Sequence, residues 1–273
     1  ASLLESAGEL GARAASTGEA RRRTALLGLR CLAAFATKQF HLFEKGFAGG
    51  TLQADATVPP EYVLEATARQ VGFDIDVLLR TMGQREPSIS TAAMRETLEL
   101  ADKLAADALA GAVRNRLIEE TSVLTYFQKT PTIRLLPYVP LALIGIDLTS
   151  IRDRTQLLAI AHEVGHHVYR QLTTNYSVEP QKKVEKRALA APAQFPSWLT
   201  AWAEEIFADI YSVLVAGPVA GVSIQAMLMG ELPGVLLQDD ADHPLPALRP
   251  EIAVAVLRKL AGKGKHGEGR LVQ

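Results

Sequence analysis

Cysteine is all but missing from these 273 residues, and the one copy, Cys31, sits in an apolar stretch. No disulfide can close within the chain, and cysteine-rich structural zinc sites are excluded. A lone cysteine fits a reducing, cytoplasmic setting. Also absent is any run of about 18 or more apolar residues, because charge or proline interrupts each apolar stretch, so no membrane span is expected. Net charge is small as well: a formal −1 at pH 7 supplies no general attraction to nucleic acid or to an acidic membrane. The basic cluster Arg21-Arg22-Arg23 reads as an exposed helix turn. The first residues, Ala-Ser-Leu-Leu-Glu-Ser, lack a starting methionine and the basic-then-apolar order of a signal peptide, so the sequence reads as an excerpt or a processed product.

What is present is the composition of a globular chain, 48% hydrophobic and 22% charged, with length enough for one large domain or two modest ones. Residues 1–120 read as a helical region, with helices expected at Glu19 to Phe43, Pro60 to Val71, Ile75 to Met82 and Ser90 to Ile118. In the last of these Met94, Leu98, Ala101, Leu104, Ala105 and Ala108 recur at helical spacing, which is a core-facing pattern. From Thr121 the pattern turns to β-branched and aromatic residues in three runs, 121–128, 132–139 and 141–148. Pro131, Pro137 and Pro140 cannot donate to a ladder, so part of this small sheet is expected to be edge or irregular, and an exposed edge can pair with an extended peptide. A polar, Lys/Arg-rich loop is expected from about Thr173 to Pro196. Helices are then expected at Ser197 to Val215, onward to about Met229, and from Pro246 or Pro250 to Leu260. Residues 121–261 thus form a second region, and 262–273, rich in Gly and Lys, reads as a disordered tail. The fold class is α+β and mainly helical.

The chemistry is concentrated in Ala161-His-Glu-Val-Gly-His-His-Val-Tyr169. On a helix, residues four apart share a face, so the imidazoles of His162 and His166 can grip one metal ion with Glu163 beside it. At this chain's frequencies of His and Glu the HExxH pattern arises by chance with a probability of roughly 1%, which makes it a signal to follow. A catalytic zinc takes three protein ligands, so a third donor is required elsewhere. Glu205 and Asp209 stand four apart in Trp202-Ala-Glu-Glu-Ile-Phe-Ala-Asp-Ile-Tyr211. Glu205 can be the ligand while Asp209 reaches the outer nitrogen of a histidine and fixes its tautomer. Glu204, about 100° around the helix, is the alternative ligand and otherwise a solvated carboxylate. His167 points about 100° away from His166 and reads either as a core residue or as one standing behind the ligands. Gly165 leaves room either beside the metal or for a crossing helix.

His162-Glu163-Val164-Gly165-His166 followed by Glu205-Ile-Phe-Ala-Asp209 resembles the gluzincin pattern of zinc metallopeptidases, HExxH plus a downstream ExxxD. The resemblance covers the two helices and the strands before them; the spacing from His166 to Glu205 is longer than in thermolysin-like members. It implies a zincin-like domain in which His162, His166 and Glu205 hold one Zn2+ per chain, Glu163 is the general base and Asp209 stands behind the ligands. Such a site lowers the pKa of water and polarises a carbonyl, leaving proton transfer to Glu163.

An oxyanion also needs a donor, and His243, in Asp242-His-Pro-Leu-Pro, is the leading candidate on a loop that can fold over the metal. Tyr169 and Tyr211 are further donors to consider, with core packing as their default. Arg249 can bind a substrate carboxylate, although a surface salt bridge is its plainer role. The function expected is hydrolysis of a peptide or protein substrate, aligned by the strands near Tyr138 to Ile146. Two other readings stand beside it: a regulatory or binding module with a structural metal, contacting a protein partner through the N-terminal helices, and a zinc hydrolase of non-peptide amides.

Overall fold

A computed structural model describes residues 19–53, 59–129, 132–136, 139–175, 198–229, 234–238 and 243–263. The architecture is mainly helical with one small mixed sheet. Three helices come first: α1 (Glu19–Ala48), α2 (Pro60–Gly83) and α3 (Ala92–Arg114). Strands β1 (Ser122–Gln128), β2 (Thr132–Leu135) and β3 (Leu141–Asp147) follow. Two short 3-10 turns, Leu148–Ile151 and Arg154–Ala159, lead into α4 (Ile160–Asn175). Then come α5 (Trp198–Ala216), α6 (Pro218–Met229) and α7 (Arg249–Lys263).

Local sequence accounts for several of these boundaries. Pro60 opens α2, where a missing N–H costs nothing, and the Thr91 hydroxyl caps α3 by accepting from Met94 N at 3.2 Å. Gly217 ends α5 in the left-handed region, at φ 68°, and Pro218 starts α6. The expected break between Val71 and Ile75 does not occur. Gly72 in a helix interior costs about 1 kcal/mol, whereas burial of Val71, Ile75 and Leu78 contributes about 1.5–3 kcal/mol each, so one helix runs through. At the other end Gly262 and Lys263, expected in the tail, continue α7, and Thr173 to Asn175, expected in the polar loop, continue α4; the rest of both expected segments lies outside the described residues.

Strand order is β1-β3-β2, with β1 parallel and β2 antiparallel to β3, in the register Leu124 to Leu143 and Ile133 to Ile144. The alternation along β3 sends Leu141 and Leu143 to one face and Ala142, Ile144 and Ile146 to the other. The first face packs on Leu32, Ile75 and Leu78 of α1 and α2. The second packs on Leu98 and Ala105 of α3, Val164 and Val168 of α4, and Tyr211 of α5. Both cores therefore cross the junction near residue 120, since the N-terminal helices cover both faces of the sheet.

The two sheet edges are treated differently. Along β1, the Gln84 side chain accepts from Phe127 N at 2.7 Å and donates to Phe127 O at 3.0 Å. Next to it Asp102 accepts from Thr125 N at 2.8 Å and from the Thr125 hydroxyl at 2.7 Å, and is held by Arg85 Nη2 at 2.8 Å. Side chains thus close this edge over Thr125 and Phe127. Strand β2 is the opposite edge. Because β3 is central and buried along nearly its whole length, it offers no free edge, which overturns the expectation that residues as far as Ile146 align a peptide; β2 is the edge strand beside it.

Candidate metal centre

Helix α4 carries His162 and His166 one turn apart, with their Nε2 atoms 3.1 Å from each other. Helix α5 crosses α4 at Gly165, where a Cβ would stand 2.7 Å from Ala208 Cα. Any larger residue forces the helices apart, so Gly165 serves the crossing helix. That close crossing carries Glu205 to the histidines. Its Oε2 lies 3.4 Å from His162 Nε2 and its Oε1 3.4 Å from His166 Nε2. One donor atom from each of His162, His166 and Glu205 falls within 4.8 Å of the others.

Behind the rings stand two more carboxylates. Asp209 Oδ1 is 3.0 Å from His162 Nδ1, off the line of a regular hydrogen bond, and Glu204 Oε1 is 2.9 Å from His166 Nδ1. An N–H at each Nδ1 facing a carboxylate leaves each Nε2 with its lone pair toward Glu205. Two lone pairs 3.1 Å apart beside an anionic carboxylate repel one another; a proton between the rings relieves this, and a metal ion held by the same three donors would do so too. Two imidazoles and a carboxylate suit zinc.

Proton affinities agree with that need for positive charge. Burial alone lowers the His162 pKa, but the Asp209 and Glu205 carboxylates outweigh it and push it up to about 9. Burial likewise opposes ionisation of Glu205, yet once the histidines carry a second proton in the metal-free chain, the hydrogen bond from His162 and the charges of both rings hold its carboxyl below the usual range.

Asp209 is fully buried and forms a two-pronged pair with Arg249, whose Nε and Nη2 donate at 2.9 and 2.7 Å. Arg249 is therefore a buried partner of the orienting carboxylate, which corrects its reading as a surface salt bridge. Glu204 also departs from expectation. Rather than being simply solvated, it accepts from His166 and, through the same oxygen, from Arg170 Nε at 2.7 Å. The sequence carried a signal for this: Arg170 stands one helical turn after His166, on the same face.

The remaining expectations divide. Glu163 is buried beside the histidines, and burial pushes its carboxyl pKa up against their opposing charge. His243 is half exposed, with Nε2 3.7 Å from Glu205 Oε1. Tyr211 instead donates to Ala108 O at 2.7 Å inside the core, and Tyr169 packs against the Phe207 ring at 5.3 Å. His167 is a core residue; neither ring nitrogen meets a hydrogen-bond partner among the described residues, and burial pushes its pKa down to about 4. A cavity of about 390 Å³ opens beside the donor set, walled by Thr132 and Ile133 of β2, Leu158, Ser223 and Ile224 of α6, and His243.

Comparison with protein-family models, with curated proteins and with solved structures returns no match, so the site itself is the ground for a function.

Proposed function

We propose that the chain is a zinc metallopeptidase of the gluzincin kind with a zincin-like domain, in which His162, His166 and Glu205 hold one zinc ion per chain. The observation that carries this reading is Glu163. Its buried carboxylate lines the same cavity as the donor set and meets no hydrogen-bond partner among the described residues. Its charge faces both histidines and Arg249 beside the open cavity, an ionisable group for which a purely structural metal site has no use.

When bound, zinc supplies Lewis acidity, polarising a carbonyl and making water acidic near neutral pH. Glu163 takes the proton from the attacking water and passes it to the leaving amine; its raised pKa suits a group that must both accept and return a proton. Asp209, locked by Arg249, holds His162 in the tautomer that offers Nε2. His243, on the cavity wall, donates to the oxyanion as negative charge develops there. Strand β2 forms the adjoining wall and suits an extended peptide, which adds to a sheet edge through backbone hydrogen bonds.

Metal analysis and a peptide library test the proposal together. One zinc per chain, cleavage abolished by chelator, and cleavage abolished by Glu163→Gln with zinc retained are the expected results. A zinc-loaded wild-type chain that cleaves nothing across a broad library overturns the peptidase reading.

A further inference from the structure

The two histidines are held by parallel devices that differ in exposure. His162 faces Asp209, itself paired with Arg249, and the side chains of that pair are 0% and 12% exposed. His166 faces Glu204, paired with Arg170, and those side chains are 21% and 51% exposed. We infer that Glu204, braced by Arg170, is a positioning residue that sets the affinity of the metal centre through His166.

Adjacent positions on α5 make this division of labour available. Glu204 and Glu205 project about 100° apart, so one carboxylate reaches the Nε2 atoms while the other passes behind the His166 ring to Nδ1. Among the described residues Glu204 meets His166 and Arg170, both at Oε1. An oxygen shared between a ring N–H and a guanidinium N–H is fixed in place by the second contact. A carboxylate at Nδ1 fixes the ring tautomer and makes Nε2 a stronger donor.

This inference rests on the zinc reading, and its test separates the two. Zinc Kd is measured by competition with a chromophoric chelator, and the visible spectrum is recorded after cobalt substitution. Glu204→Ala is expected to weaken zinc roughly 10–100-fold and to shift the cobalt bands. Glu204→Gln, whose amide oxygen still accepts from Nδ1–H, recovers most of the loss and keeps the test open should the alanine variant fold poorly. Arg170→Gln is expected to weaken zinc several-fold in the otherwise wild-type chain and to have no effect once Glu204 is alanine. Wild-type zinc affinity in Glu204→Ala, or additive effects of the two substitutions, overturns the inference while leaving the metallopeptidase reading intact. A wild-type chain that takes up no zinc overturns both.

Discussion

Two largely buried aspartate–arginine pairs brace this molecule, and what each aspartate does with its remaining capacity separates scaffold from site. Asp102, bound to Arg85, also accepts from the backbone and hydroxyl of Thr125, which fastens α3 to the outer edge of β1. Asp209, bound to Arg249, instead faces His162, whose far nitrogen points at Glu205 beside an open cavity. The same ion pair closes a sheet edge in one place and orients a ring toward a ligand in the other. A buried charged pair is weak grounds for stability or function by itself; the third partner decides which it serves.

The largest expected effect lies where the scaffold side has no counterpart. Glu163→Gln removes a carboxylate that lines the cavity beside the donor set, so turnover should fall by at least roughly 100-fold while zinc content stays at wild-type level. Thermal unfolding of this variant should not drop, because no protein hydrogen bond is lost. A variant that loses zinc or unfolds early would make Glu163 a structural residue and collapse the distinction.

Removing the aspartates tests the pair directly. Asp102→Ala and Asp209→Ala each leave a buried arginine without its partner, and each should cost about 3–5 kcal/mol of stability. Only Asp209→Ala should also weaken zinc, roughly 10–100-fold, since only Asp209 orients a ligand. Denaturant unfolding and chelator competition on the same samples read the two effects apart. Equal zinc affinities in the two variants would sink the claim that their third partners matter.

Titration of the metal-free chain sharpens the contrast between two histidines on one helix. His162 has a folded pKa near 9, above the ordinary 6.5, so its stabilisation is full below about pH 6.5 and is lost as pH rises toward 9. His167, pushed down to about 4, contributes in the opposite sense: full above about pH 6.5 and lost as pH falls toward 4. Melting temperature should therefore decline on both sides of a maximum near pH 6.5. Zinc displaces the proton from His162 and should flatten the alkaline limb. His162→Gln without metal should flatten the same limb; an unchanged slope would assign that limb to another group.

Much of this was legible in the sequence where periodicity and spacing act locally. The helical spacing of His162 and His166, and of Glu205 and Asp209, survives folding because each pair lies on one helix. The apolar, β-branched run at 141–147 marked a strand, although not that it would lie at the centre of the sheet with both faces covered. What the sequence hid were contacts between elements. Arg249 stands far from Asp209 along the chain, and nothing in its proline-flanked surroundings marks it as a buried partner. Glu204 looked solvated because its helix face could not be oriented until α4 and α5 were crossed. The break expected near Gly72 failed for the converse reason: local propensity lost to apolar burial on either side.

The smallest expected effects come from two glycines on helices, one in the scaffold and one in the site, and they should have opposite signs. At Gly72 a Cβ meets nothing within 4 Å, so Gly72→Ala should stabilise the chain by up to about 1 kcal/mol through helix propensity alone. At Gly165 the same methyl meets Ala208 Cα at 2.7 Å, a backbone atom that cannot swing away. Gly165→Ala should therefore cost about 1–3 kcal/mol as α4 and α5 part. Because Glu205 reaches the histidines only across that crossing, the variant should also bind zinc more weakly, whereas Gly72→Ala should leave zinc affinity untouched. A Gly165→Ala chain with full stability and full zinc affinity would mean that the close approach of the two helices is not what delivers the third ligand.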